Sequence, residues 1–385
     1  MRLAMKAAAA ALALSLVTGA ATAAVIKVGD DKEFKVGLHL QTRLTVLDED
    51  VVGGDRDEMR VDGNIRRAYF YFGGKVSPKF QYFAILAGDK MGQAGVDGAK
   101  VGVGTGLAIR DAWVTLALKP ELKIQLGRMY VPFFRGFGSQ AAFAIQPLDL
   151  SDMQVGAMSP GRRAARDDGV TVWGNIDGGT YQYRLALMDN VDGPAKPADG
   201  GTAKATQRLA GRVVANFITK EPGWFTKGAH LDGDGIVSVG AGFETIPEFD
   251  GVNDHTGMGG DVYVSYPVGE ALQVIAEAGG AIIDQSAGDT KVKWTGTYMY
   301  GNAGVVLKDL ETPVGFLHPY VRFEKFEADE DVAAPTSADK EMSVGVTCYP
   351  NGLNHSYKAT LDVTQVTPRG KDSFNRGTLQ FQVSF

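Results

Sequence analysis

Apolar and polar residues alternate along this chain with a period of two. Over Phe34 to Val46, one face holds Phe34, Val36, Leu38, Leu40, Leu44 and Val46, with Thr42 among them. The other face holds Lys35, Gly37, His39, Gln41, Arg43 and Thr45. Strict alternation predicts a strand with two different environments, since successive side chains of a strand point to opposite faces. The run is long for a soluble strand, whereas a tilted membrane-spanning strand needs about 9–11 residues. In the next run, Ala68, Phe70 and Phe72 face away from Arg67, Tyr69 and Tyr71. The last run sets Leu379, Phe381, Val383 and Phe385 against Gln380, Gln382 and Ser384. A final strand ending on an aromatic residue resembles the assembly signal of bacterial outer-membrane barrels. One face meeting lipid and the other a watery lumen is the arrangement this pattern serves.

The same reading predicts sixteen strands, at 34–46, 65–76, 79–87, 107–118, 121–130, 168–176, 180–188, 206–218, 235–245, 259–267, 270–283, 291–308, 316–326, 341–349, 355–366 and 376–385. An even number closes an antiparallel barrel with both ends of the chain on one side. The expected fold is therefore all-β, a sixteen-stranded antiparallel transmembrane barrel. Connection lengths fit that register. The connections 47–64, 88–106, 131–167, 189–205, 246–258 and 327–340 are long and belong to the outer side. Ser77-Pro78, Lys119-Pro120, Asp177-Gly178-Gly179 and Val268-Gly269 are tight turns of the inner side. The segment 219–234 is long where a short turn is due. It carries a small periplasmic excursion or conceals a misread strand.

The first residues differ in kind. Arg2 and Lys6 precede an apolar stretch from Ala7 to Val17, then Ala21-Thr22-Ala23-Ala24. This reads as a secretory signal peptide over 1–24, and the stretch is too short to span a bilayer. Residues 25–385 then form one barrel domain, with 131–167 as a constriction loop. No later run of roughly 18 apolar residues predicts a membrane helix. Mean hydropathy near zero agrees, because lipid-facing and lumenal residues average out. The chain has 385 residues and one cysteine, Cys348, which excludes an internal disulfide and a multi-cysteine metal site. Removing the signal segment takes the net charge from −6 to −8. An acidic chain argues against nucleic acid as a partner.

Several stretches together resemble the phosphate-selective porins of the O/P type. They are Ile65-Arg66-Arg67-Ala68-Tyr69-Phe70-Tyr71-Phe72-Gly73-Gly74, Ile109-Arg110-Asp111-Ala112-Trp113-Val114, and Leu126-Gly127-Arg128-Met129-Tyr130-Val131-Pro132-Phe133. Ser159-Pro160-Gly161-Arg162-Arg163, then Asp168-Gly169-Val170, and later Pro319-Tyr320-Val321-Arg322-Phe323, follow in the same order. The resemblance implies a barrel that is usually trimeric, with a third loop folded inward to narrow the pore. It departs from the phosphate-binding members at Tyr130, where they carry a basic residue.

The residues themselves point to a lumen that handles ions. Alternation places Lys35, His39, Arg43, Arg67 and Lys75 on the wet face, and the long connection adds Arg135, Arg162, Arg163 and Arg166. Guanidinium groups at a constriction replace part of an anion's hydration and set charge selectivity. Asp111 is lumenal too, placed to orient an arginine or to bind the hydroxyl of a protonated anion. The alternative is that the arginines pair with Asp149, Asp152, Asp167 and Asp168 and only pin the loop. The expected function is passive diffusion of small hydrophilic solutes, with anions such as phosphate favoured, in the outer membrane of a Gram-negative bacterium. The partners are then outer-membrane lipid and two further copies of the chain. A general cation-preferring porin and a barrel that sleeves a partner protein stay open. The acidic run Asp48-Glu49-Asp50 reads as a solvated loop, and Asp232-Gly233-Asp234-Gly235 as a tight turn, rather than as calcium sites. His39, His230, His255, His318 and His355 lack metal-ligand spacing. No cofactor, metal or catalytic residue is expected, and no nucleophile motif indicates an enzyme.

Overall fold

A computed structural model describes residues 24–385 apart from 30, 49–58, 93–106, 150–164, 191–205, 250–252, 288–289, 292–294, 330–337 and 369–371. In chain order the strands are β1 (Ala24–Val28), β2 (Lys32–Asp48), β3 (Met59–Lys75), β4 (Phe80–Met91), β5 (Ala108–Lys119) and β6 (Leu122–Tyr130). Next come β7 (Arg166–Ile176), β8 (Tyr181–Met188), β9 (Arg208–Asn216), β10 (Ile236–Ile246), β11 (Asp254–Val268) and β12 (Leu272–Ala287). The last are β13 (Thr290–Lys291), β14 (Gly296–Thr312), β15 (Gly315–Ala328), β16 (Ala338–Tyr349), β17 (Tyr357–Pro368) and β18 (Phe374–Ser384).

Consecutive strands pair antiparallel around a ring, with β12 joined directly to β14. The ring closes where β18 meets β2, in the register Gln380↔Arg43 and Ser384↔His39. Sixteen strands form the wall, at the sixteen places the alternation predicts. The short β13 borders β12, and β1 pairs with β2 through Ala24↔Val36, beyond the point where β18 stops. Phe385 completes the seam by exchanging two backbone hydrogen bonds with Leu38, at 2.8 and 2.9 Å. Strand ends differ from expectation chiefly on the long-connection side. There β3 begins at Met59 and not near 65, because Met59–Asn64 continues the ladder with Arg43–Asp48. Its apolar pattern breaks at Asp62-Gly63-Asn64, so periodicity stops before pairing does.

The surface is inverted relative to a soluble protein. Val61, Phe70, Leu126, Val213, Ile282 and Val344 are exposed on the outer face, and Met258 reaches 71%. Gln41, Thr45, Arg67, Gln125, Thr171 and Gln380 are buried on the inner face. Apolar side chains facing outward all round a closed sheet require a lipid environment, and closure leaves no unpaired edge in it. Among the described residues, no helix is long and apolar enough to cross a membrane; the crossing is made by strands.

The interior holds a packed core of its own. Val131, Phe133 and Phe134, which follow β6, are buried with Met129, Trp173, Trp224, Tyr298, Tyr300 and Phe326. Each fully buried phenylalanine contributes roughly 2–3 kcal/mol of apolar burial. Phe133 lies so close to β10 that a Cβ on Gly242 would come within 1.9 Å of its carbonyl oxygen. Glycine is what lets that backbone rest on the wall.

Candidate functional site

Two strands break their alternation at the site, and the breaks have a structural cause. Gln41 pairs with Arg67 and Thr42 with Ile65, leaving Arg66 as an extra residue in β3. Likewise Ile85 pairs with Asp111 and Leu86 with Ile109, leaving Arg110 extra in β5. Each is a β-bulge, which sets two residues against one and re-aims a side chain. Arg66 and Arg67 thereby serve the same side of the sheet, as do Arg110 and Asp111. The Arg-Arg-Ala and Arg-Asp-Ala stretches of the sequence are these two bulges.

Their product is a charge cluster built from β2, β3, β4, β5 and the segment after β6. Arg66 donates to Asp149 at 2.7 and 3.1 Å, and Arg43 does so at 3.0 Å. Arg67 donates to the same carboxylate and to Gln41 Oε1 at 2.7 Å. Arg43 is also held by Gln380 Oε1 at 2.7 Å. Behind them Asp89 accepts from Arg66 at 3.3 Å, Arg110 at 3.0 Å and Tyr69 Oη at 2.8 Å. Burial opposes ionisation of Asp149, but Arg66, Arg67 and Arg43 outweigh it and hold the carboxyl well below the usual range. Four guanidiniums thus face two carboxylates, an excess of two positive charges among the described residues.

The other expected residues are placed separately. Asp111 faces Arg166 at 3.3 Å, and the Arg166 guanidinium lies 3.6 Å over the Tyr130 ring. His39 is buried, with Nδ1 2.7 Å from Ser384 Oγ. Lys35 is half exposed near the end of the wall and paired with Glu33 at 2.6 Å. Arg162 and Arg163, like Asp152, lie outside the described residues. Arg166, expected in the connection, instead begins β7.

Arg135 belongs to a different cluster, which the sequence did not foretell. Val131 to Asp149 does not stand away from the wall. Arg135–Ser139 forms one wide helical turn, Arg135 N–H donates to Asp261 at 2.9 Å, and Gly136 N–H donates to Tyr300 Oη at 3.2 Å. Further along, Lys358 donates to the Ile145 carbonyl at 3.1 Å and Gln382 to that of Phe143 at 2.9 Å. These partners sit on the buried face of β11, β14, β17 and β18.

The 217–235 connection corrects the expectation of an excursion or a misread strand, because it packs against the same inner face. Thr226 N–H donates to the Ser139 carbonyl and Ala141 N–H to that of Thr226, each at 2.9 Å. Ala229 N–H donates to Ala144 at 2.8 Å. Arg135 grips Glu221 through two nitrogens, at 2.5 and 3.0 Å, and stacks 3.7 Å over Tyr263. His230 lies 2.8 Å from Glu221. Burial works against the Glu221 charge, yet Arg135 and His230 drive that carboxyl far below its ordinary value. Arg184 donates to the Gly223 and Trp224 carbonyls at 3.2 and 2.8 Å and lies 4.4 Å over the Trp224 ring. An interior position follows: unpaired carbonyls at a turn are met by water outside, but here Asn175, Arg184 and His355 meet them.

OmpF of Salmonella typhi, in complex with daunomycin, superposes with a TM-score of 0.58 at 14% identity, covering 94% of this chain and 100% of that one. The anion-selective porin of Comamonas acidovorans gives 0.55 at 12% identity, with 92% and 100% covered. The outer-membrane channel DcaP of Acinetobacter baumannii gives 0.54 at 14%, with 94% and 100% covered. The fold is that of the outer-membrane porins. No family model matches the chain. A 226-residue stretch is 25% identical to an uncharacterised protein of Aquifex aeolicus (strain VF5), covering 55% of this chain and 52% of that protein. The chain spans about half the length of the curated relative it matches.

Proposed function

We propose that this chain is a porin of the Gram-negative outer membrane, passing small hydrophilic solutes by passive diffusion and favouring anions. One observation carries the reading: a closed, outwardly apolar barrel has an arginine-rich inner face whose cluster at Arg43, Arg66, Arg67 and Arg110 outnumbers, among the described residues, its carboxylates Asp89 and Asp149. The narrow point is where 131–149 and 217–235 join. Charges within about 10 Å of that point govern permeation at 0.1 M salt, while the acidic remainder is screened. The stretches that carry the two bulges, Arg66-Arg67-Ala68 and Arg110-Asp111-Ala112, resemble those of the phosphate-selective type, which supports membership of it, and a trimer is the assembly we assign to it.

A second reading is a general porin without anion preference. The Asp149 clamp favours it, since Arg43, Arg66 and Arg67 all spend charge on one carboxylate. Reconstitution of the mature chain in planar bilayers separates the two. Stepwise conductance with a reversal potential of anionic sign in asymmetric KCl supports the first reading. A cationic sign supports the second, and absence of conductance removes both.

A further inference from the structure

A cavity of about 660 Å³ lies inside the wall beside β2 to β5, and its lining is out of keeping with a water-filled lumen. Many inward positions elsewhere carry Gln, Thr and Arg, and the inward aromatic residues Trp173, Tyr298, Tyr300 and Phe326 are buried in the packed core. Here the register Gly73↔Phe83↔Trp113 turns Phe83 and Trp113 inward, and Tyr71↔Ile85 does the same for Tyr71. Phe143 and Phe225 complete the lining from the two interior segments. Ring centroids are 6.2 Å apart for Tyr71 and Phe83, 5.2 Å for Phe83 and Trp113, and 5.4 Å for Phe83 and Phe225. Seating Phe225 does not account for them all. Its ring meets Phe83 and Tyr130, whereas Tyr71 and Trp113 stay half-buried toward the cavity.

Two further features say what fits. Trp113 Nε1 is buried and has no hydrogen-bond partner among the described residues, so a donor is left for an acceptor. Lys35, Lys75 and Lys227 border the cavity, and against them stands Glu33, paired to Lys35, with Asp232 3.4 Å from Lys227. Lys75 makes no ion pair within 4.0 Å among the described residues. The mouth is therefore cationic and the walls aromatic.

We propose that this cavity binds a planar aromatic carboxylate, its ring stacked among Tyr71, Phe83 and Trp113 and its carboxylate turned to Lys75. The site deepens the porin reading by stating what the lumen holds. Its test needs no conductance, so a closed pore and an empty cavity give different results. The full chain, folded in detergent, is titrated with 4-nitrobenzoate, and the quenching lost in Trp113→Phe is taken as the Trp113 signal. Saturable quenching is expected, with at least a tenfold weaker response to 4-nitrobenzylammonium and no competition by inorganic phosphate. Phe83→Leu and Tyr71→Leu each weaken binding about threefold to tenfold, and Lys75→Gln weakens it about twofold to fivefold. Heat-modifiable migration confirms that each variant is folded. Should Phe83→Leu fail to fold, Tyr71→Leu and Lys75→Gln carry the test. No saturable Trp113 signal, equal response to the cation, competition by phosphate, or binding unchanged in the folded variants would each overturn the proposal.

Discussion

Replacing Asp149 by Asn separates the charge of the clamp from its shape. The amide keeps the outline of the carboxylate but gives up the charge that Arg43, Arg66 and Arg67 share. The described cluster then changes from an excess of two positive charges to an excess of three. A unit charge about 6 Å from a permeating ion is worth roughly 0.7 kcal/mol at the dielectric of water and about 3 kcal/mol at an effective dielectric of 20. The lower figure corresponds to about a threefold change in anion partition at the narrow point. Asp149 is 17% exposed, so its surroundings lie between these limits and threefold is the minimum. The assay is the reversal potential of single channels in asymmetric KCl, with heat-modifiable migration as the control for folding. The permeability ratio should move toward anions by threefold or more. An unchanged ratio in a folded variant would refute the reasoning, because it would put the conducting path elsewhere than past this cluster.

Three other outcomes follow from the same structure. Glu221→Gln removes one half of a buried ion pair and should loosen 217–235 by roughly 3 kcal/mol, giving larger and noisier single-channel currents; wild-type conductance would mean that this segment does not narrow the path. Asp149 has a depressed pKa in the folded protein, so its stabilising charge is fully present above its unfolded value of about 3.9 and is lost as pH falls through the folded value; selectivity should stay level from neutral pH down to about 4 and shift toward anions only below that, and the same shift in Asp149→Asn would assign it to other carboxylates. Phe385→Ala should lower the folded yield more than Phe381→Ala, because the final aromatic side chain resembles an assembly signal whereas Phe381 contributes lipid-facing burial; the backbone bonds of residue 385 to Leu38 survive the substitution, and equal losses would leave hydrophobicity as the whole cause.

The wall was legible because lipid outside and polar groups inside impose period two at every strand, and Phe34 to Val46 alone displays it over thirteen positions. Arg43, Arg67 and Asp111 could be placed on the wet face by counting. Arg66 and Arg110 could not, because a bulge shifts the count by one, although a pair of adjacent polar residues inside an alternating run is the visible trace of it. Asp149 was named as a possible partner, but which arginines it would meet depends on contacts across the ring. Arg135 and Glu221 were harder still. They stand on connections that enter from opposite ends of the barrel, and nothing local marks 217–235 as interior except Trp224 and Phe225 in a segment that a periplasmic turn would leave in water.

The joint between these connections also has a mechanical meaning. A ring of strands resists stretching along its hydrogen bonds but yields easily at the hinge between one strand and the next, so a hollow barrel flattens under uneven lateral pressure. Here Ser139, Ala141 and Ala144 are tied to Thr226 and Ala229 within the barrel, and the tied pieces are fastened at Asp149 to β2 and β3 and at Arg135 to β11. They act as a cross-brace. The cross-section that a solute meets is held round from within, by a strut whose two halves are rooted at opposite rims.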